Sequence, residues 1–215
     1  MKKLFDRWMG AGSPHGAAAP DPGDDAGYFA TTFMERDDAP SLIAASTARS
    51  RLVSSEPCSR ARGVELLRRA WGEDHFMAQL SAIEVEQLAD YLEFVSIPAG
   101  REVIAQDEPG DFALIVLEGL LSVDRIQPWG GRARLAEARE GDVLGELSLL
   151  DAGSRFCSCT TRSACVMAVI NAAQLDAMMK HAPRAGMALM ACMSRRLSLR
   201  MRQVSARLSA LLSAT

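Results

Sequence analysis

The residues best suited to chemistry lie in one short segment, GELSLLDAGSRFCS, at positions 145–158. Gly145 opens a tight turn with exposed backbone N–H groups, and the N-terminus of a helical turn that follows it attracts anions. Glu146 lies at that turn, where its carboxylate can accept a hydrogen bond from a sugar hydroxyl. Arg155 follows nine residues later, after a second turn at Gly153, and its guanidinium can pair bidentately with a phosphate. Together these two side chains predict a nucleotide pocket.

The elements around this segment are predicted to be strands with helices on either side. Helical spacing covers 64–71 and 73–92, where Ser81 is placed to cap a helix, and returns at 172–180 and from about Met187 to Leu212. Many short runs with a period near two predict a mainly β fold with flanking helices (α+β), built as a sandwich, jelly roll or barrel. The predicted strands are 95–97, 102–105, 112–119, 121–126, 132–138, 158–162 and 165–170.

Three stretches of the chain resemble the cyclic nucleotide-binding domain family. They are FMAQLSAIEVEQLADYLEFVSIPAGREVI, EPGDFALIVLEGLLSV and EGDVLGELSLLDAGSR, and the resemblance spans residues 75–181, about half of the chain. The third stretch is similar to the family's phosphate-binding cassette, whose usual form is F-G-E-L-A-L-L followed by P-R-A-A-T. The resemblance implies a jelly roll, or double-stranded β-helix, with N-terminal helices, a long C-terminal helix and a cyclic nucleotide as ligand.

The resemblance also implies roles for six residues of the cassette. Glu146 would accept a hydrogen bond from the ribose 2′-hydroxyl, and Arg155 would pair with the phosphate oxygens. The backbone N–H groups of Phe156 and Cys157 would complete the phosphate cradle. The predicted ligand-binding residues are therefore Gly145, Glu146, Leu147, Arg155, Phe156 and Cys157.

Two features bear on the base of the ligand. The family's long C-terminal helix covers the base, and the candidates for that contact here are Arg196, Ser198 and Arg200. Phe156 stands where the family has a small residue, and its large ring can crowd the base or fill part of the pocket. Phe156 also lacks the hydroxyl that guanine-preferring members often place there, so the sequence favours cAMP over cGMP.

Composition and charge divide the chain into three segments. Residues 1–63 are predicted to be a flexible arm, because five of the nine prolines lie in the first 60 residues among Gly-, Ala- and Asp-rich stretches. Residues 64–183 form the predicted roll with its flanking helices. Residues 184–215 carry six arginines and no acidic residue in a chain of net charge −3, and form a predicted dimerisation or lid helix. A stripe near heptad spacing predicts a homodimer through this helix: Met190, Met193, Leu197, Met201, Val204, Leu208 and Leu211.

Nothing in the sequence predicts catalysis. The three histidines show no motif with a serine or cysteine nucleophile. Cys157 and Cys159 lack a second Cys/His cluster of metal-binding spacing, so we predict no metal site and no cofactor. No apolar run reaches the roughly 18 residues needed to span a bilayer, and the odd number of cysteines, five, does not suggest a disulfide framework. The chain is therefore predicted to be cytoplasmic.

The leading hypothesis is a non-catalytic sensor in which a bound cyclic nucleotide shifts the C-terminal helix and signals to an unknown protein partner. One alternative is a degenerate domain, its pocket closed by Phe156, that acts as a protein-interaction scaffold. Another is a transcription regulator without a DNA-binding domain of its own. Regulators of the catabolite-activator type place a helix-turn-helix after the dimerisation helix, whereas this chain ends within that helix at Thr215, so DNA is not an expected partner.

Overall fold

The computed structural model describes residues 27–29 and 56–213, and most of the predicted arm lies outside the described residues. Helices lie before, between and after the strands along residues 56–213. The helices are α1 (Arg60–Trp71), α2 (Ala82–Ala89), α3 (Glu146–Asp151), α4 (Ala172–His181) and α5 (Pro183–Ser213), with a 3-10 helix at Met77–Gln79. The strands are β1 (Glu56–Pro57), β2 (Glu93–Ile97), β3 (Glu102–Ile104), β4 (Phe112–Glu118), β5 (Leu121–Ile126), β6 (Arg132–Ala138), β7 (Val143–Leu144), β8 (Ser158–Thr161) and β9 (Cys165–Asn171).

The strands form two antiparallel sheets. The first sheet has the order β1-β2-β9-β4-β7, and the second has the order β3-β8-β5-β6. Apolar side chains from both sheets belong to one buried cluster that includes Leu114, Leu121 and Met167. The two sheets therefore enclose a common core, as the alternating sequence pattern predicts.

The first sheet is buried on both faces. Along β4, Leu114 and Val116 belong to the cluster between the sheets. The intervening Ala113, Ile115 and Leu117 belong to a second cluster beneath the helices. A strand that is buried on both faces has no polar side, which explains why the run FALIVL is continuously apolar.

The helices before the strands differ from the predicted ones. Helix α1 begins at Arg60, so the predicted end of the arm at residue 63 falls inside it. The stretch 73–92 is not one helix, because the Asp74 carboxylate accepts hydrogen bonds from the backbone N–H groups of Phe76 and Met77 and so favours a turn. Ser81 caps α2 as predicted, in a reciprocal capping box with Glu84.

Helix α5 has two unlike halves. It begins at Pro183, earlier than predicted, because proline is well accommodated in the first turn of a helix. Ala185, Leu189 and Cys192 in its first half are buried against the domain, whereas every residue from 198 to 213 is exposed. No helix within the described ranges is long and apolar enough to cross a membrane.

A short described piece of the arm touches the domain. The Phe29 backbone N–H donates to Asp176 Oδ1 of α4 at 2.9 Å, and the Phe29 side chain packs against the core beneath the helices. Further along, β1 pairs with β2. Parts of the segment before α1 therefore add to the domain.

The side chain of Trp71 joins α1 to the turn that precedes the candidate site. It is 2% exposed, and its Nε1 donates to the buried Gly141 carbonyl at 2.8 Å. Trp71→Phe is expected to lower the free energy of unfolding by about 1–3 kcal/mol, because the carbonyl loses its donor. Urea denaturation measures the change. Trp129→Phe is the control, since Trp129 is 82% exposed; equal losses in both variants would contradict this role for Trp71.

Candidate functional site

Gly145 joins β7 to α3 in a backbone conformation that only glycine adopts easily. Its φ is 78°, in the left-handed region. A Cβ at this position would lie 2.5 Å from Arg155 Nη1 and 3.0 Å from the Phe112 carbonyl oxygen. Both the turn and the close approach of Arg155 therefore require glycine at this position.

Arg155 returns to this turn, as the spacing predicts. The backbone around it is held by a bridge between Pro109 and Ser154 and by the hydrogen bond from Arg155 N to Glu108 O, at 2.8 Å. Its guanidinium donates to the carbonyls of Gly145 at 2.9 Å and Phe112 at 2.8 Å. The guanidinium carbon also lies 4.4 Å from the centroid of the Phe112 ring. Arg155 is thus a fixed part of the site, only 3% exposed.

The charge of Arg155 is buried, and the carboxylates of Asp111 and Glu146 interact with it electrostatically. Burial lowers the pKa of the guanidinium to about 10, so the side chain remains protonated at neutral pH. The two carbonyl contacts use only some of the N–H donors of a guanidinium. A buried cation of this kind favours an anionic group, such as a phosphate, beside it.

Glu146, the first residue of α3, is paired with a residue of α5. The carboxylate is 5% exposed, and its Oε1 lies 2.5 Å from Arg200 Nη1. Arg200 Nη2 also donates to the Val143 carbonyl at 3.5 Å. The candidate base contact Arg200 therefore lies beside the predicted ribose contact and ties α5 to the cassette.

The other two candidate base contacts are less close to the cassette. Arg196 extends from α5 towards the carboxylates of Asp142, at 3.4 Å, and Asp74, at 3.9 Å. Ser198 is exposed on α5. Arg196 therefore links α5 to the turn before β7, and the structure assigns Ser198 no contact of this kind.

The remaining cassette residues lie near the surface. Leu147 is 43% exposed and Phe156 is 53% exposed, while Cys157 is half-buried. The Phe156 ring lies under the guanidinium of Arg125, with 4.0 Å between the guanidinium carbon and the ring centroid. The ring is therefore partly in solvent. The sequence alone had instead allowed for a ring that fills part of the pocket.

Three residues of this site are missing from the sequence-based set. Gly110 leaves room for the Arg155 side chain, since a Cβ at position 110 would lie 2.0 Å from Arg155 Nε. Phe112 supplies both a ring and a carbonyl to Arg155, and Arg125 stacks on Phe156. Two sequence signals could have identified these residues. One is the turn sequence EPGDF, which contains Gly110 and Phe112, and the other is the period-two position of Arg125 after Leu121 and Val123.

The thiols show no sign of a metal centre. Within the ranges that the structure describes, no group of three or more His, Cys, Asp or Glu residues is placed to hold a metal ion. All five cysteines are free, and Cys159, Cys165 and Cys192 are buried. Burial raises the pKa of the Cys165 and Cys192 thiols, which suits small uncharged core residues.

Comparison with known proteins shows what the fold is. A sequence model described as "Cyclic nucleotide-binding domain" matches residues 94–182. The fold is similar to a cyclic nucleotide-binding domain from Methylobacillus flagellatus, with a TM-score of 0.65 and 22% identity, covering 71% of this chain and 85% of that one. It is also similar to the catabolite activator protein of Thermus thermophilus, with a TM-score of 0.54 and 24% identity, covering 61% of this chain and 62% of that one. These similarities confirm the predicted β-roll.

Curated relatives match over shorter stretches. A CRP-like cAMP-activated global transcriptional regulator of Mycobacterium tuberculosis is 36% identical over 77 residues, which are 36% of this chain and 34% of the relative. A cGMP-dependent protein kinase of Caenorhabditis briggsae is 34% identical over 86 residues, 40% of this chain and 11% of the relative. The chain thus spans about a third of the length of the first relative.

The fold is that of a cyclic nucleotide-binding β-roll, and the family that this model describes is regulatory and non-catalytic. The match to the model of the cyclic nucleotide-binding domain family covers residues 94–182 of this chain.

Two glycines with the same backbone conformation allow the role of Gly145 to be tested. Gly100 has a φ of 80°, like Gly145, but a Cβ there meets nothing within 4 Å. Both Gly→Ala variants are expected to lose about 1 kcal/mol of stability from the left-handed backbone. Only Gly145→Ala should also displace Arg155 and weaken cyclic nucleotide binding at least about tenfold, or about 1.4 kcal/mol. Thermal melts and calorimetric titration measure the two effects; equal binding by both variants would contradict this assignment.

Proposed function

We propose that this protein is a cAMP sensor that relays ligand binding through α5 to a protein partner. In this proposal Arg155 and the backbone N–H groups of Phe156 and Cys157 bind the cyclic phosphate, while Gly145, Glu146 and Leu147 border the ribose. The cyclic nucleotide-binding domain supports a sensor role in general. The choice of ligand, the relay and the partner are our own inference.

The observation that carries the proposal is the ion pair between Glu146 and Arg200. It joins the carboxylate assigned to the ribose to a helix whose distal half is exposed. Glu146 is almost fully buried, whereas the Arg200 side chain is 48% exposed. The pair therefore depends on the position of α5 more than on the core of the domain.

Ligand binding and helix position are coupled through this carboxylate. A ribose hydroxyl that donates to Glu146 competes with the Arg200 guanidinium for the same acceptor. A ligand shifts the position of α5 only by its difference in affinity for the two arrangements. Competition at Glu146 supplies such a difference and weakens the hold of the cassette on the distal half of α5.

The preference for cAMP depends on Phe156. The relatives include a cAMP-activated regulator and a cGMP-dependent kinase, so they support both ligands. Phe156 has no hydroxyl to bond a guanine at this position, and this favours adenine. Signalling to a protein is preferred to DNA binding, although the name of the Mycobacterium relative makes transcription regulation the alternative output.

Removing the Arg200 side chain is expected to strengthen cAMP binding, whereas most substitutions in a binding site weaken it. In calorimetric titrations, cAMP is expected to bind with micromolar or tighter Kd, and more tightly than cGMP or cyclic di-GMP. Arg200→Ala should bind cAMP about 2–5-fold more tightly, because a half-exposed ion pair no longer competes. Hydrogen exchange in residues 197–213 should accelerate when cAMP binds to the wild-type protein, and should be fast with or without ligand in Arg200→Ala.

Arg195→Ala is the matched control, because Arg195 is exposed on the same helix and should leave both readouts unchanged. Weaker binding by Arg200→Ala would overturn the competition and make Arg200 a ligand contact. No heat from a folded protein with any of the three ligands would overturn the sensor. That result would favour the scaffold alternative, since Arg155 and Glu146 both already have partners within the chain.

The exposed distal half of α5 also supports a homodimer. Four of its apolar residues form a stripe at spacings of three and four, and each is 55–70% exposed: Met201, Val204, Leu208 and Leu211. A narrow stripe with this period fits the seam of a two-stranded coiled coil better than the broad face of a globular core. We therefore propose a second copy of this chain as the occupant.

A pair of charge insertions on opposite sides of α5 tests the dimer. Light scattering at tens of micromolar should give the mass of a dimer for the wild-type protein. Leu208→Glu is expected to give a monomer, because it buries a carboxylate in the seam. Ala206→Glu, on the opposite face, should leave the dimer intact. A monomeric wild-type protein, or two variants with the same mass, would contradict pairing through this stripe.

A further inference from the structure

Phe156 and Arg125 form a stacked pair beside the cassette. The Arg125 guanidinium covers one face of the ring, and its Nη1 donates to the Phe156 backbone carbonyl. One side chain thus fixes both the ring and the backbone of Phe156. The ring is nevertheless 53% exposed, so it retains a large open surface.

The register of the second sheet explains why these two residues meet. Along β5, Leu121 and Val123 point into the core between the sheets, and Arg125 is the next residue on that side. Asp124 pairs with Ser158 across the β5–β8 ladder, which brings Arg125 opposite the segment that contains Phe156. The pair therefore lies at the inward-facing edge of the roll.

The chain places the pair at the candidate site, because Phe156 directly follows Arg155, whose guanidinium donates to the Gly145 carbonyl. The charges around Cys157 agree with this placement. A hydrogen bond with the Cys159 thiol lowers the pKa of Cys157, and burial and the Glu146 carboxylate oppose the change. The positive charges of Arg200 and Arg125 add to the lowering. Glu146, Arg200 and Arg125 therefore all lie within electrostatic range of the backbone assigned to the phosphate.

We propose that Phe156 and Arg125, together called the base platform, bind the purine ring of the cyclic nucleotide. The open surface of Phe156 stacks on the base, and Arg125 holds the ring clear of the phosphate cradle. This inference rests on the proposed function. It gives the proposed cyclic nucleotide sensor a base-recognition site outside α5. It also gives the bulky Phe156 a role in binding, where the sequence suggested obstruction.

The physical basis is stacking on a surface that is ordered before the ligand arrives. Nucleobases stack on aromatic side chains regardless of their hydrogen-bonding pattern, and a purine offers more area than a pyrimidine. A ring already fixed by a guanidinium loses little rotamer freedom on binding. The positive charge of Arg125 also favours the nearby phosphate. The platform thus distinguishes purines from pyrimidines.

Titrations with cAMP and cyclic CMP test the platform. Phe156→Ala is expected to bind cAMP about tenfold more weakly than the wild-type protein, with a smaller loss for cyclic CMP, so the ratio of the two affinities falls. Phe156→Trp should keep the ratio, and its added indole fluorescence should be quenched by cAMP. Arg125→Ala should weaken cAMP binding about threefold, because the ring loses its cation–π partner.

Arg139→Ala is the control for Arg125, since Arg139 is exposed and pairs with Glu137. Tighter binding of cAMP by Phe156→Ala would overturn the platform and show that the ring obstructs the pocket. Equal losses for both ligands would show a merely structural role and would overturn it as well. A wild-type protein that binds neither nucleotide would instead remove the proposed function itself, so the two failures are distinguishable.

Discussion

The buried charge of Arg155 is the constraint on which the site depends. Removing a guanidinium from water is costly unless hydrogen bonds replace the lost solvation. The carbonyls of Gly145 and Phe112 provide that replacement, and glycines at 110 and 145 leave room for the side chain. The turn before α3, the first residue of β4 and the segment before it are therefore arranged around one cation.

This arrangement ties the site to the core of the domain. Phe112 begins β4, the strand whose two faces pack against the second sheet and the helices. Its carbonyl cannot move far without disturbing both clusters, because close-packed interiors resist small displacements. Arg155 consequently has rigid partners, and rigidity of this kind lowers the entropic cost of binding an anion beside it.

The strands and the cassette were predictable from the sequence, but the partners across the fold were not. Period-two runs separated by turns gave most strand ends to within about two residues, and the spacing of Gly145 and Arg155 predicted that they meet. The pairing of Glu146 with Arg200 depends on the rotation of α5 about its axis, which no local pattern records. The stretch 73–92 was predicted to be helical from the spacing of its apolar residues. That spacing does not reveal the turn in which the Asp74 carboxylate accepts a backbone hydrogen bond.

The two polar residues that the proposed sensor directs at its ligand differ in what holds them in place. Arg155 is held by backbone carbonyls of the core, whereas Glu146 is held by a half-exposed side chain on a helix with an exposed distal half. A phosphate that binds Arg155 changes little else, because its partners stay where they are. A ribose that binds Glu146 alters the ion pair between Glu146 and Arg200, and Arg200 lies on a helix that can move. In the proposed sensor, the phosphate therefore supplies affinity and the ribose carries the signal to α5.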